Sequence, residues 1–296
     1  MSINVAIMQD ASEIIRYDHI NIPIYIRKGC LSLYPQHKAL CHWHDDLELI
    51  LIDQGSMYYD VNGARILLEA GDCLLVNSRQ MHYGYGDQSK DCLFLCLLIQ
   101  PSLLAGNQGM YEAYFKGILE NADLPFWHIR QGMEHFTYVS SVLNQLWELK
   151  QQEAFGYELQ VLSLLQRFWY DLIHSGLATA TVKKETSELH IQRDMITYIY
   201  KNYAEAIALE DIALAGNVCR SHCCALFKKY LQQSPIDFLN HYRLEVSCHL
   251  LHTTALPIIK VANACGFNHS SYYAKLFYRQ YACTPLQYRK SNKDFR

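Results

Sequence analysis

The segments FKKYLQQSPIDFLNHYRLEVSCHLL (residues 227–251) and VANACGFNHSSYYAKLFYRQYACTPLQYR (residues 261–289) belong to one pattern that occurs twice in the C-terminal third of the chain. Ile212-Ala213 recurs as Val261-Ala262, Leu226-Phe227 as Leu276-Phe277, Ser234-Pro235 as Thr284-Pro285, and Phe238 as Tyr288. The offset is 49 for the first pair and 50 for the others, so the second copy carries one inserted residue. Two units are too few for a solenoid, which needs about three stacked repeats. They suit a pair of matched modules presented to an extended partner, and duplex DNA with its successive major grooves is such a partner.

Each copy reads as helix, turn, helix. Leu209 opens a short helix with Glu210 and Asp211 in its first turn, where the helix dipole favours acids, and Gly216-Asn217 supplies the turn. A helix from Arg220 to about Tyr230 follows, with Cys223, Leu226 and Phe227 inward. Arg220, Ser221, His222, Cys224, Ala225 and Lys228 then lie on the face left for DNA. In the second copy Pro257 opens the first helix, Gly266 makes the turn, and Asn268 is the expected cap of a helix from His269 to about Gln280. Tyr272, Tyr273, Leu276 and Phe277 form the expected inner face, leaving His269, Ser270, Ser271, Ala274 and Lys275 for the groove. Ser234-Pro235 and Thr284-Pro285 each cap a further helix.

Charge follows the same division. From His190 to Arg296 there are 13 Lys and Arg against 7 Asp and Glu, a balance of +6, while the remaining 189 residues carry −9. A basic end on an acidic chain is the footprint of a polyanion partner. At 296 residues and half hydrophobic composition the chain is long enough for two domains. No run of eighteen apolar residues exists, and Met1 to Arg16 lacks a basic stretch followed by an apolar one, so the expectation is a cytoplasmic protein with no membrane association. The 11 cysteines are odd in number and include no C-x-x-C pair, which argues against a disulfide framework or a zinc ribbon. Cys219, Cys223 and Cys224 accordingly read as small packing residues rather than a redox switch.

Residues 20 to 100 read as β-structure. Asn62-Gly63 is a tight hairpin signal between Met57-Tyr58-Tyr59 and Ile66-Leu67-Leu68, and short strands at this spacing suggest a sandwich or small barrel. From Pro101 to Arg130 the expectation is irregular structure with short helices. Between Met133 and His174 two apolar blocks at helical spacing predict a hairpin that packs on the barrel, on its twin in a dimer, or on both, with Trp147 and Trp169 the boldest dimer-contact candidates. Thr179 to Glu188 is polar and reads as a linker. The division expected is therefore a barrel over 1–100, a dimerising helical segment over 101–178, a linker over 179–189 and a DNA-binding domain over 190–296.

The two quoted segments resemble the double helix-turn-helix of AraC-type bacterial transcription regulators over the last hundred residues. Cys219 replaces the usual serine cap of the first reading helix, Gln232 and Ala282 stand where glycine precedes the SP and TP caps, and Tyr278 stands where lysine is common. The resemblance implies base reading by Ser221, Cys224 and Ala225 in the first module and by Ser270, Ser271, Ala274 and Lys275 in the second. Cys224 and Ala225 cannot make bidentate base contacts, so the first module reads thymine methyls or shape.

His42-x-His44-x3-Glu48-x6-Gly55 adds a second signal. Residues two apart on a strand share a face, so His42, His44 and Glu48 converge, and the later Gly71 and His82 extend the pattern. This resembles the cupin barrel, in which two histidines, a glutamate and a later histidine meet on a divalent metal; Asn77 and Arg79 depart from its second motif. Three uses are open: an effector pocket of His42, His44, Glu48, Tyr58 and His82, a divalent-metal site of His42, His44, Glu48 and His82 held for sensing or structure, or the same metal site with enzyme chemistry. Trp43, Tyr58, Tyr83 and Tyr85 are candidate aromatic faces for a sugar or another small polar molecule. The fold expected is a cupin-like β-barrel with a helical hairpin, followed by an all-α double helix-turn-helix. The function expected is a homodimeric, effector-responsive transcription regulator that binds double-stranded DNA and is not an enzyme. The rival is a metal-dependent cupin enzyme fused to a DNA-binding domain.

Overall fold

The run opening at Leu47 is apolar but for Glu48 and buried as far as Ile52, then turns polar and partly exposed from Asp53 to Ser56 before Met57. In the computed structural model it becomes β2, Leu47–Val61, fifteen residues long. The structure describes residues 13, 15–18, 22–86, 90–121, 123–133, 136–174 and 187–291. The first half of β2 lies between β6 (Cys92–Ile99) and β4 (Cys73–Val76); its second half pairs with β3 (Ala64–Glu69) and β5 (His82–Tyr85). Outside these, β1 (Ile24–Cys30) pairs with β6 and β7 (Phe126–Ile129) with β4, every pairing antiparallel. The β2–β3 hairpin turns on Asn62 and Gly63 with φ of 51° and 82°, the mirror-type turn that the Asn-Gly pair predicts.

The two halves of β2 belong to different sheets because the strand breaks register between Ile52 and Gln54. Gly55 makes the crossing possible: its φ is +78°, and a Cβ there would lie 2.1 Å from the Asp91 carbonyl oxygen. The bulge exchanges the faces. Before it, Ile50 and Ile52 point into the barrel while Leu47, Leu49 and Leu51 point outward; after it, Met57, Tyr59 and Val61 point in.

The outward leucines are covered by helices. α1 (Pro101–Ala105), α2 (Gln108–Tyr114) and α3 (Lys116–Leu119) lead into β7, then come α4 (Phe136–Gln152) and α5 (Tyr157–His174). Val139, Leu143, Leu146, Val161, Leu165, Phe168 and Trp169 join Leu49, Leu75 and Leu97 in one core. The expected boundary near residue 100 is therefore corrected. Strand β7 lies inside the segment read as helical and irregular, and barrel and helices form one compact unit reaching Ser187. The dimer-contact candidates need the same correction. Trp169 is buried, stacked on Phe115 at 4.6 Å with its Nε1–H donating to the Tyr114 carbonyl, and Trp147 packs against the same core beneath Lys28. Phe155 and Leu159 are the most exposed large apolar side chains among the described residues of α4, α5 and the turn between them.

Of the expected linker, residues 179–186 lie outside the described residues; α6 (Ser187–Asn202) begins at once after them, and the second unit runs from Glu188. That unit continues with α7 (Leu209–Ala215), α8 (Arg220–Leu231), α9 (Pro235–Thr253), α10 (Ile258–Ala264), α11 (Ser270–Tyr281) and α12 (Pro285–Ser291). The offset of 49 relates α7 to α10, and the offset of 50 relates α8 to α11 and everything after them. The extra residue therefore sits in the second turn, between Gly266 and Ser270. Asn217 and Gly266 take the left-handed conformation in the two turns, with φ of 52° and 78°. At Gly266 a Cβ would lie 2.4 Å from the Tyr203 carbonyl oxygen, so only glycine fits. Asn268 is not the cap of α11; that position falls to His269, whose side chain makes no capping bond.

Replacing Trp169 by alanine empties a buried site that carries a stacked ring and a hydrogen bond. We expect Trp169→Ala to lower the stability of the N-terminal unit by about 3–5 kcal/mol, read by denaturant unfolding, rather than to release a folded monomer in sedimentation.

Candidate functional site

His42 and His82 face each other across a two-way backbone bridge, His42 N–H to the His82 carbonyl at 3.1 Å and His82 N–H to the His42 carbonyl at 2.9 Å. His44 follows two residues on and Glu48 projects from the inward face of β2. All four side chains are buried, and one nitrogen or oxygen from each lies within 4.8 Å of the others. Each imidazole is held from behind: Nδ1–H of His42 donates to the Leu40 carbonyl at 2.8 Å, that of His44 to the Asp46 carbonyl at 3.1 Å, and that of His82 to the Gln80 carbonyl at 2.8 Å. A carbonyl oxygen only accepts, so each Nδ1 carries a proton; the Nε2 atoms of His44 and His82 approach Glu48, and that of His42 approaches Glu13. His82 Nε2 is 2.8 Å from Glu48 Oε2 but is not aligned as a hydrogen bond, and it is a buried nitrogen without a hydrogen-bond partner. His44 Nε2 is 3.3 Å from the same oxygen. The other oxygen of Glu48 accepts from the Tyr59 hydroxyl at 2.9 Å and from the Cys96 thiol at 3.7 Å.

These contacts set the charges. Burial lowers the His42 pKa well below the ordinary imidazole value, reinforced by its two histidine neighbours. Burial would lower His44 as well, but the Glu48 carboxylate outweighs it and raises that group. Burial pushes Glu48 up, and the imidazoles of His82 and His44 together hold it well below the usual carboxylate range. Glu13, whose carboxylate lies 3.5 Å from His42 Nε2, is raised to about 7, chiefly by burial.

His42 and Glu48 also form part of the wall of a cavity of about 330 Å³. Its aromatic lining is Tyr25, Tyr34, Tyr59 and Phe94, with Glu13 and Cys96 beside them. The sequence-based aromatics lie elsewhere. Tyr58 does not line this cavity: it points off the other face of β2, stacked on Tyr85 with Arg65 over its ring. Tyr83 stacks on Tyr85, and neither these two nor Trp43 borders the cavity. Counting alternate residues from Glu48 arrives at Tyr58; the bulge before Gly55 shifts the inward position to Tyr59. Tyr59 becomes findable once that glycine is read as a sheet crossing.

In the second unit the inner faces of the two reading helices are closed, with Cys223, Leu226 and Phe227 buried in α8 and Tyr273, Leu276 and Phe277 in α11. On α8, Arg220, Ser221, His222, Ala225 and Lys228 are exposed and Cys224 is half-buried; Arg220 is engaged by Glu210 at 2.6 Å. On α11, Ser270, Ser271, Ala274 and Lys275 are exposed, as is His269 at its start. Tyr272, expected inward, is 47% exposed and joins that outer face; its hydroxyl accepts from Asn240.

A β-domain enclosing a partly polar cavity, in one chain with two helix-turn-helix modules, is the architecture of a ligand-responsive transcription regulator. The family profile described as AraC-like ligand binding domain matches residues 32–168, and that described as helix-turn-helix domain matches residues 212–291. The chain belongs to the AraC-type transcription regulators, with a ligand-binding N-terminal domain and a DNA-binding C-terminal one. It is 28% identical over 289 residues to the uncharacterized HTH-type transcriptional regulator YdeC of Bacillus subtilis (strain 168), covering 98% of this chain and 99% of that protein. It is 25% identical over 274 residues to the HTH-type transcriptional activator RhaR of Escherichia coli O139:H28 (strain E24377A / ETEC), covering 88% and 90%. Among solved structures, unsaturated fatty acid-bound ToxT from Vibrio cholerae strain SCE256 aligns at 12% identity with a TM-score of 0.45, covering 90% of this chain and 94% of that one. Among the described residues no helix is long and apolar enough to cross a membrane.

The exchange of faces at Gly55 makes two adjacent tyrosines unequal. Tyr59→Phe removes the hydroxyl that Glu48 Oε1 depends on and should cost about 1–3 kcal/mol in denaturant unfolding. Tyr58→Phe should stay within about 0.5 kcal/mol of the parent chain.

Proposed function

We propose that this regulator binds its effector in the barrel cavity beside His42 and Glu48, and that occupancy changes how the C-terminal modules engage DNA. The observation that carries the reading is the convergence of the buried His42, Glu48 and Tyr59 and the half-buried Glu13 on one cavity in the same chain as the helix-turn-helix pair. A small polar molecule suits such a wall, and a sugar fits its mixture of aromatic rings and hydrogen-bonding groups. Coupling requires the effector to favour one arrangement of the chain over another, since a ligand with equal affinity for both shifts nothing. On this reading residues 190–296 are the DNA-binding domain, the cavity senses rather than turns over its ligand, and the protein acts in the cytoplasm on its own DNA.

Reading of the groove falls to Ser221, Cys224 and Ala225 on α8 and to Ser270, Ser271, Ala274 and Lys275 on α11, with Arg220, His222, Lys228 and His269 beside them. Among the base-reading positions Lys275 alone is a cation; on the first module thiol and methyl groups favour thymine methyls or shape. Fluorescence anisotropy of the full chain on the DNA upstream of its own gene tests this. Affinity should fall steeply as salt rises and exceed that for random duplex at the same salt. Lys275→Ala should weaken specific binding by about 1–3 kcal/mol while leaving binding to random DNA nearly unchanged. An unchanged specific affinity removes Lys275 from the base-reading set.

Pairing of two chains falls to the outer side of α4 and α5. Leu159 is 73% exposed and Phe155 entirely so, beside a shallow groove lined by Gln145, Leu149, Gln160 and Leu164. Leu159→Glu should give a folded monomer by circular dichroism and sedimentation velocity; a dimer of parental strength places the interface elsewhere.

A further inference from the structure

We propose that Arg220 and Glu210 together read one G·C base pair in the major groove, giving the first module a base-specific contact beyond Ser221, Cys224 and Ala225. The inference rests on the reading of residues 190–296 as the DNA-binding domain and of α8 as a groove helix. It adds a base identity and the two side chains that recognise it.

The first module is short of hydrogen-bonding readers. Its three reading positions offer one hydroxyl, one thiol and one methyl group, and none of these presents two parallel donors to a base edge. Arg220 is the sole arginine of α7 and α8. It stands at the first position of α8, beside Ser221, and the N-terminal residues of the second helix are the part of a helix-turn-helix that meets base edges.

Glu210, the second residue of α7, holds this arginine. The Nη1–H of Arg220 donates to Glu210 Oε1 at 2.6 Å, while the two side chains remain 66% and 60% exposed. An ion pair so open to water adds little to stability. Its effect is to fix the direction of a long side chain. Among the described residues neither Nε nor Nη2 of Arg220 makes a hydrogen bond, so that edge of the guanidinium offers two N–H donors in fixed geometry to a partner outside the chain.

The pair matches one base pair. Guanine shows the acceptors N7 and O6 side by side in the major groove, which an arginine fork meets with two bonds, and its cytosine shows the N4 amino donor, which a carboxylate accepts. The same carboxylate disfavours a phosphate as the partner of Arg220. A phosphate drawn to the guanidinium would meet Glu210 as a second anion, whereas a base pair is neutral and offers Glu210 a donor.

The second module lacks the pair. By the offsets of the repeat Glu210 corresponds to Ile259 and Arg220 to Ser270, yet α10 and α11 form the same helix-turn-helix without it. Glu210 and Arg220 are therefore not a requirement of the fold, and they make the first module differ from the second on the side turned to DNA.

The test is selection of binding sites by the full chain from a random duplex library, then anisotropy on the selected duplex, with each variant checked for folding by circular dichroism. The parent chain should select a motif containing a G·C pair that Arg220→Ala no longer selects, the other positions staying as they were. On the selected duplex Arg220→Ala should lose roughly 5- to 150-fold in affinity, the worth of one bidentate base contact, while affinity for random duplex changes little. Arg220→Lys should lose the same preference, because lysine is a point charge and not a fork. Glu210→Ala should weaken the G·C preference and raise affinity for random duplex several-fold, since the freed guanidinium can then reach phosphate. A motif unchanged at every position in Arg220→Ala overturns the proposal. So does a uniform loss on selected and random duplex with a salt slope lower by about one, the mark of a phosphate contact. An unchanged motif in Glu210→Ala overturns the pairing. A parent chain that selects no motif overturns the reading of the groove helices as a whole and this inference with it, whereas a motif that depends on Lys275 and not on Arg220 sinks this inference alone.

Discussion

The N-terminal unit depends on one strand being continuous across two sheets. Hydrogen bonds tie β2 to four other strands, so any break in it would separate the sheet carrying the helices from the sheet carrying His82. Continuity demands a bend, and the bend demands a residue with a positive φ and no side chain, since Asp91 closes in from the neighbouring strand. Gly55 meets both demands. The site follows from the same geometry: Glu48 and Tyr59 stand on opposite sides of the crossing, eleven positions apart in the chain, and meet because the strand turns between them.

Much of this was legible in the residues. The paired modules showed in the recurrence of Ile212-Ala213 and Ser234-Pro235, because helix caps and buried faces impose residue types at fixed spacing. The convergence of His42, His44 and Glu48 showed because alternate residues of a strand share a face. What escaped depended on partners distant in the chain. Tyr58 was favoured over Tyr59 since a bulge inverts alternation, and nothing local to the tyrosines records it. Strand β7 was hidden because four residues, Phe126–Ile129, are too few to display a period. Trp147 and Trp169 looked available for a partner because an amphipathic helix reads the same whether its apolar stripe meets a second chain or, as here, the sheet of its own. Tyr272 read as inward because it is aromatic and neighbours Tyr273, which is buried; the offset of 50 makes it the counterpart of His222, which is exposed on α8.

The C-terminal unit is held by contacts that cross between its modules. Arg243, buried on α9, donates through Nε to the Tyr203 carbonyl at 2.7 Å and through its terminal nitrogen to the Glu205 carbonyl at 2.6 Å, tying the loop after α6 to the helix that joins the repeats. Gly266 closes on the same loop from the second module. Gln232 and Ala282, at the ends of the two reading helices, hold left-handed conformations of 56° and 52° that glycine would accept with less strain. That strain is tolerated at both equivalent positions, which marks the sharp turn after each reading helix as a requirement of the module itself.

The anchoring of the three imidazoles has a consequence for how this cluster could change over time. Their supports are main-chain carbonyls, present whatever side chains stand at residues 40, 46 and 80. Substitution at those positions therefore leaves the ring orientations in place, provided the backbone path is kept. Only Glu48 relies on neighbouring side chains, the Tyr59 hydroxyl and the Cys96 thiol, for its orientation. Heritable variation at the site is thus free to remodel the cavity wall and alter which molecule fits, while the arrangement of nitrogen donors persists.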